Sequence, residues 1–310
     1  MEFSSGCEYD HDLMNVVITG ASGLLGRALV ARLAEAGHRV VPLRRTDATD
    51  AAAAATWDPA SGRVRFGPGL LPDAVVHLAG ETIAQRWTPE SKARIRASRV
   101  DGTRALCEAL AALPQPPRTL VCASATGFYG DRGNEVLDEA SAPGSGFLPE
   151  VCQAWEAASA PARQAGVRVV HLRLGIVLAR GGGALEKMLP AFRLGLGGRL
   201  GNGRQYWSWI ALEDVLRITE LALTDAALDG AINVVAPEAV TNRQFTAALA
   251  RALHRPAFLP APAFLLRAAL GEMADATLFA STRVRPARLL EKGFAFRFPE
   301  LAPTLRHLLA

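Results

Sequence analysis

The sequence predicts an α/β protein, a doubly wound parallel sheet with a smaller, mostly helical lobe behind it. Three observations predict it. Apolar, β-rich runs alternate with helical patterns from residue 15 to about 175. Those runs are continuously apolar, as in strands buried on both faces. The first run leads into Gly20, Gly23 and Gly26 and then a helical stretch, so a strand–turn–helix unit opens the fold.

The elements follow in order. "NVVIT" (15–19) is a strand and 23–36 a helix; "RVVPL" (39–43) is the second strand. "AVVHLAG" (74–80) precedes a long polar helix over about 89–112. "TLVCASA" (119–125) precedes a helix over 148–165, and "VRVVHLR" (167–173) follows. Residues 181–209 hold "RGGG", "GLGGRLGNG" and "YWSWI", which read as a cleft loop with a hairpin in it. A helix over 212–226 and a strand "AINVV" (231–235) complete the sheet. The expected division is a leader over 1–13, a dinucleotide-binding domain over 14–180 completed by about 210–236, and a small domain over 237–310.

Composition sets limits. The chain has 310 residues, half of them hydrophobic, enough for one large core. Net charge is +4 with the arginines spread out, so no nucleic-acid stripe is indicated. Cys7, Cys107, Cys122 and Cys152 have no metal or redox spacing and read as reduced thiols in a cytoplasm. Residues 1–13 are polar and lack a signal-peptide pattern, and read as a disordered leader or a start-site artefact. No apolar run is long enough to span a bilayer; "APAFLLRAALG" comes nearest, but it is short and carries Arg267. A small-molecule substrate is expected, with no nucleic acid or membrane as partner, on a monomer or homodimer.

The glycine unit points to a dinucleotide. Gly20, Gly23 and Gly26 provide a tight turn, a close backbone approach to a pyrophosphate, and a helix N-terminus for its charge. Ser22, Leu24 and Leu25 fill the same turn. An acidic residue ending the second strand suits a free ribose 2′-OH, whereas arginine suits a 2′-phosphate. Here Arg44 and Arg45 stand there, which favours NADP(H), while Asp47 and Asp50 just beyond keep NAD in play.

The stretches "ITGASGLLGRAL", "HLAGETI", "SRVDGT", "SATGFYG", "LRLGIVLARGGGALEKMLPAFRLGLGGRLGNGRQYWSWIALEDV", "APEAVTNRQFTAAL" and "GEMADATLFASTRVRPARLLEKGFAFRFPEL" carry a resemblance. In them the sequence resembles the extended short-chain dehydrogenase/reductase superfamily, and within it the NAD(P)-dependent epimerase-like family with a small C-terminal domain. The resemblance implies a Rossmann-type domain with an NADP(H) cleft at the C-terminal strand edges. It implies that Arg44 and Arg45 hold the 2′-phosphate end and that Leu78 and Ala79 line the adenine or ribose side. Gly80 and Glu81 follow on the same edge, and Arg94, Arg99 and Val177 match cofactor-contacting positions.

Hydride transfer to a carbonyl needs a proton donor at the oxygen. The superfamily supplies it from Tyr-x-x-x-Lys on a helix, one turn apart on one face. Aligning a Glu that follows the Lys in related epimerases with Glu156 puts Leu148 and Cys152 at those two places. Neither can perform the chemistry, and with Trp155 they also read as the packed face of a helix. Ser124, at the end of the fifth strand, and Tyr129, in the loop after it, are then the candidate catalytic residues. Tyr129 equally reads as a pocket wall, and Glu81 as a buried acid or a solvated one. His77 and His171 read as satisfied core histidines. Gln205, Tyr206, Trp207 and Trp209 either frame a substrate or pin their loop. Three functions are compatible with these residues: an NADP(H)-dependent, epimerase-like oxidoreductase with unusual proton chemistry, a catalytically silent NADP(H) sensor, and a nucleotide-sugar epimerase with bound NAD.

Overall fold

A computed structural model describes residues 13–45, 55–58 and 63–310. Of the expected leader only Leu13 is among them; Cys7, Asp47 and Asp50 lie outside the described residues, and of Arg45 only the backbone is described.

The chain opens with β1 (Asn15–Thr19), α1 (Leu24–Glu35), β2 (Arg39–Arg45), β3 (Ala55–Asp58) and β4 (Arg63–Phe66). Next come β5 (Ala74–His77), α2 (Pro89–Ala111) and β6 (Thr119–Ala125), then a 3-10 turn (Thr126–Tyr129) and β7 (Val136–Leu137). They lead to α3 (Phe147–Ala157), α4 (Ala160–Gln164), β8 (Arg168–Leu174), β9 (Ile176–Ala179) and α5 (Gly183–Arg193). After β10 (Tyr206–Trp207) and β11 (Trp209–Ala211), α6 (Leu212–Thr224) and β12 (Gly230–Val234) return to the large sheet. The remainder is β13 (Val240–Thr241), α7 (Asn242–Leu253), α8 (Ala263–Leu270), β14 (Arg283–Val284), α9 (Ala287–Glu291) and α10 (Leu301–Leu309).

An eight-stranded sheet runs in the order β12-β8-β6-β5-β1-β2-β3-β4. Every neighbouring pair is parallel except β3 with β4. Alternation along each strand splits the core between the two faces. Val16, Ile18, Val76, Val121 and Leu172 pack with Leu29 and Leu33 of α1 and Val215 and Ile218 of α6. Val17, Val75, Leu120 and Val169 pack with Leu106 and Leu110 of α2 and Ala162 of α4. Each such side chain contributes about 1.5–3 kcal/mol by leaving water, so helices on both faces are the means of burying both. The doubly wound α/β fold expected from the sequence is the one observed.

Three expectations about elements change. First, 181–209 is not a loop with a hairpin. Residues 183–193 form α5, because Leu185, Leu189 and Phe192 share one face and bury it against Trp207, Trp209 and Phe245. The glycines that look like breakers sit at its ends, where Gly181, Gly183 and Gly195 take positive φ. β10 pairs with β13 and β11 with β9, so these short strands tie the segment down rather than pair with each other. Second, the helix expected over 148–165 breaks at 158–159. Pro161, the second residue of α4, lacks the N–H that would continue α3. Third, β3 and β4 extend the sheet past β2; their short, interrupted pattern gives no clear period in the sequence.

The C-terminal part is mostly helical. α7 and α10 pack on α5 around Phe245, Leu249, Leu301 and Leu305. Residues 281–298 run back against the N-terminal part: β14 pairs with β7 in a separate two-stranded sheet, and Leu289 joins the core beneath β12. Asp214, fully buried, accepts from the backbone N–H groups of Arg297 and Phe298 and anchors that return.

Candidate active site

Parallel strands end together, so the residues that follow them share one crevice. Thr19 is level with Leu43 and His77, and His77 with Cys122. Gly20, Arg44, Leu78 and Ser124 therefore stand one or two residues beyond that line. Four of the residues expected to bind cofactor or substrate thus lie at one edge by topology alone.

The glycine turn is built for close approach. Gly20 has φ +69°, and a Cβ on it would lie 2.8 Å from the Leu78 carbonyl carbon. A Cβ on Gly26 would overlap the Gly20 carbonyl oxygen and lie 2.7 Å from Ala21 Cα. The Gly23 N–H closes the turn on the Gly20 oxygen at 3.0 Å. No side chain caps α1, and its first turn holds no acid. The N–H groups of Leu24, Leu25 and Gly26 thus open towards an anion. Leu24 also has a packing role, since a Cβ on Gly182 would lie 2.8 Å from its Cδ1. Ser22 is exposed, and its carbonyl accepts from Arg27 at 2.6 Å.

Beneath the turn runs a buried polar line. Thr19 Oγ1 accepts from the N–H of Leu78 at 3.1 Å and of Ala79 at 3.2 Å. Its own proton is then left for His77 Nδ1, 2.7 Å away. That assignment puts the ring hydrogen on Nε2, where it meets Thr103 Oγ1 at 3.0 Å. Trp155 Nε1 also donates to Thr103, at 2.9 Å. Burial lowers the His77 pKa to about 4, so the ring is neutral. The line fixes the Leu78–Ala79 backbone to the helix that carries Trp155. His171 is likewise neutral, lowered to about 4 chiefly by burial, and its Nε2 meets Ser159 Oγ at 3.1 Å. Both are core histidines.

The arginines separate. Arg44 is exposed at the end of β2. Arg99 reaches the crevice from α2: its guanidinium lies over the Trp155 ring and would stand 3.4 Å from a Cβ on Gly80. Its Nη1 donates to the Glu81 carbonyl at 2.9 Å. Arg94, on the same helix, is exposed. Glu81 is not a buried acid: it is half-buried, and its carboxylate accepts from Gln85 at 3.3 Å. Val177 lies on β9, level with Ile210 of β11.

On the substrate side, Ser124 is 2% exposed and its Oγ donates to Glu156 Oε1 at 2.7 Å. Arg173 grips the same carboxylate with two bonds, each of 2.9 Å. Burial alone would raise the Glu156 pKa, but the bonds and charge of Arg173, with Ser124, outweigh it and hold it below the usual carboxylate range. Arg173 Nη1 also donates to Tyr129 Oη at 3.0 Å, and Tyr129 donates to Asn233 Oδ1 at 2.7 Å. Arg173 lies against the Phe128 ring as well, 3.5 Å from its centroid.

Tyr129 thus departs from expectation. It has no accessible surface, its proton is committed to Asn233, and burial raises its pKa. A hydroxyl so placed braces Arg173 and Asn233. Leu148 and Cys152 pack against Gly127, within 3.5 and 3.9 Å of a Cβ built there. Burial raises the Cys152 thiol to about 12, so it stays neutral. These side chains form the packed face of α3. Trp207 and Trp209 are buried and Gln205 is tied to the carbonyls of Leu200 and Leu278, so they pin their segment to the core. Glu156, Arg173 and Asn233 were not legible as a group. The one sequence signal was Arg173, a charge ending an apolar strand and so in need of a buried partner.

Residues 16–235 match the NAD dependent epimerase/dehydratase family, and 261–308 match a domain of unknown function, DUF1731. The chain belongs to the NAD dependent epimerase/dehydratase family. It is 44% identical to an epimerase family protein of Mycobacterium tuberculosis over 294 residues, 94% of this chain and 96% of that protein. It is similar to human epimerase family protein SDR39U1, whose crystal structure with NADPH superposes with a TM-score of 0.86 at 35% identity, covering 96% of this chain and 99% of that one. A UDP-glucose 4-epimerase of Thermus thermophilus with NAD, 22% identical, superposes with a TM-score of 0.72 over 95% of this chain and 99% of that one, and shows the shared fold. The fold of this family member is thus the Rossmann type expected at the sequence level.

Proposed function

We propose that this chain is an NADP(H)-dependent oxidoreductase acting on a small carbonyl or alcohol, with Ser124 and Glu156 as its proton-handling pair. The residues present fit the cofactor: an uncapped helix N-terminus for the pyrophosphate, glycines that alone allow the turn, and Arg44 with Arg45 for a 2′-phosphate. NADPH in the structure of the human relative supports the phosphorylated form. When bound, the nicotinamide supplies or accepts the hydride. Leu78, Ala79, Gly80 and Glu81 would border it on the β5 side, and Arg94, Arg99 and Val177 on the α2 and β9 sides.

The observation that carries the chemistry is the 2.7 Å bond from Ser124 Oγ to a half-buried, ionised Glu156. A substrate hydroxyl placed at Ser124 can give its proton to Oγ as the Ser124 proton moves to Glu156. Reduction runs the same path backwards. Arg173 holds the carboxylate in place and favours its charged form, which favours alcohol oxidation over reduction. Tyr-x-x-x-Lys is not needed for this route, and no Tyr in the chain has a Lys four residues on.

That same lack of Tyr-x-x-x-Lys supports a second reading, an NADP(H)-binding sensor without turnover. Calorimetry with NADPH and NADH tests the cofactor, and the double variant Arg44→Ala, Arg45→Ala should weaken NADPH by about 10–100-fold while sparing NADH. A screen of alcohols with NADP⁺ and carbonyls with NADPH tests the reaction. Turnover lost in Ser124→Ala and Glu156→Gln with NADPH affinity intact supports the pair; tight binding with no turnover on any substrate supports the sensor.

A further inference from the structure

The stretch that comes nearest to a membrane span in the sequence folds as α8, and α8 buries none of its residues. An apolar helix of eight residues, "AFLLRAAL", therefore lies open on the surface. Phe264 is 69% and Leu265 55% exposed. They are not isolated. The preceding segment runs beside residues 195–201: Leu200 bridges Ala261, the Ala261 N–H donates to the Arg199 carbonyl at 2.9 Å, and Gly198 abuts the Leu259 backbone. This ribbon adds Leu194 (74%), Leu196 (63%), Phe258 (77%) and Leu259 (49%) to the same surface. Single exposed leucines are ordinary, but six large apolar side chains on adjoining segments form a patch that marks an interaction site.

Charge says what covers it. Residues 188–205 and 239–271 contain seven arginines and no Asp or Glu, in a chain whose net charge is only +4. Arg193, Arg199, Arg204 and Arg255 are exposed and make no salt bridge among the described residues. Of the seven, Arg267 pairs with Asp275 just beyond the helix, so a second copy meeting this patch with its own would still bring the four unpaired arginines against their counterparts. A surface both apolar and anionic fits instead. We propose that this patch docks the protein on bilayers containing anionic lipids, with Phe258, Phe264 and Leu265 entering the headgroup boundary and the arginines meeting lipid phosphates. The helix is too short to span, so the mode is interfacial. Membrane contact was not expected from the sequence, because only spanning length is visible there.

Vesicle co-sedimentation tests this with the full chain. The probes are phosphatidylcholine vesicles and vesicles with about a third phosphatidylglycerol, at low and high salt. Expected is binding to the anionic vesicles that is at least about tenfold tighter than to neutral ones and that weakens with salt. The surface variant Phe258→Ser, Phe264→Ser should lose it with an unchanged circular dichroism spectrum and NADPH affinity. Wild type left in the supernatant with anionic vesicles at low salt overturns the proposal. So does equal binding to neutral vesicles, or a variant that still binds. A dimer in solution that the double variant dissolves, without vesicle binding, would assign the patch to a second copy instead.

Discussion

Replacing Gly26 with Ala tests the glycine turn at the point where space is least. The new Cβ would overlap the Gly20 carbonyl oxygen and lie 2.7 Å from Ala21 Cα. Carbon contacts settle near 3.5–4.0 Å, so the turn must move by about 1 Å. Such overpacking costs about 1–3 kcal/mol. Alanine returns about 0.8–1 kcal/mol of helix propensity, since Gly26 lies inside α1. The net loss is about 0–2 kcal/mol, a fall in Tm of no more than roughly 4–8 °C. Binding suffers more. A shift of that size strains the N–H groups of Leu24 and Leu25, and each charge-assisted bond lost costs about 1.5–3 kcal/mol, or 10–100-fold in Kd. Gly23→Ala separates stability from contact with the cofactor: its φ is −73° and its Cβ would meet only the Gly20 oxygen, at 3.3 Å, so its Tm should change little and any loss of NADPH affinity would report the cofactor side. Thermal melts and NADPH calorimetry on the two variants decide. A Gly26→Ala protein that binds NADPH as tightly as wild type would refute the close-approach reasoning.

Three further outcomes follow from the buried polar groups. Glu156→Leu leaves the Arg173 guanidinium buried without its carboxylate, and urea unfolding should show a loss of about 3–5 kcal/mol; a loss under 1 would mean the pair is dispensable. Tyr129→Phe should lower stability by about 1–3 kcal/mol, because Asn233 Oδ1 loses its donor, yet leave any turnover of the folded enzyme within a few-fold; abolished turnover at full stability would restore Tyr129 as proton donor. Finally, His77 and His171 have folded pKa values near 4 against about 6.5 unfolded. The unfolded state therefore binds protons first. Stability should be full above pH 6.5 and fall as pH drops towards 4, by up to about 3 kcal/mol for each histidine. Urea midpoints flat across that window would show that the rings protonate in place.

The sequence by itself determined the parallel α/β order, the glycine turn and the placing of Ser124, Arg44 and Leu78 at one edge. Those features rest on short-range causes: the period of apolar residues, the missing Cβ of Gly20 and Gly26, and the rule that parallel strands end together. It also placed Leu148 and Cys152 on a helix face that packs. Two errors came from local signals that mean something else in context. The glycines of 181–195 cap α5 rather than break it, because Leu185, Leu189 and Phe192 find a core to bury in. Tyr129 has the right residue type and the right loop, yet tertiary packing turns it inward. Its partner Asn233 is 104 residues away, and Ser124 and Arg173 meet Glu156 from different strands. Pairings across such distances leave no period or spacing in a sequence. Only the sheet, by bringing β6, β8 and β12 side by side against α3, decided which polar groups meet.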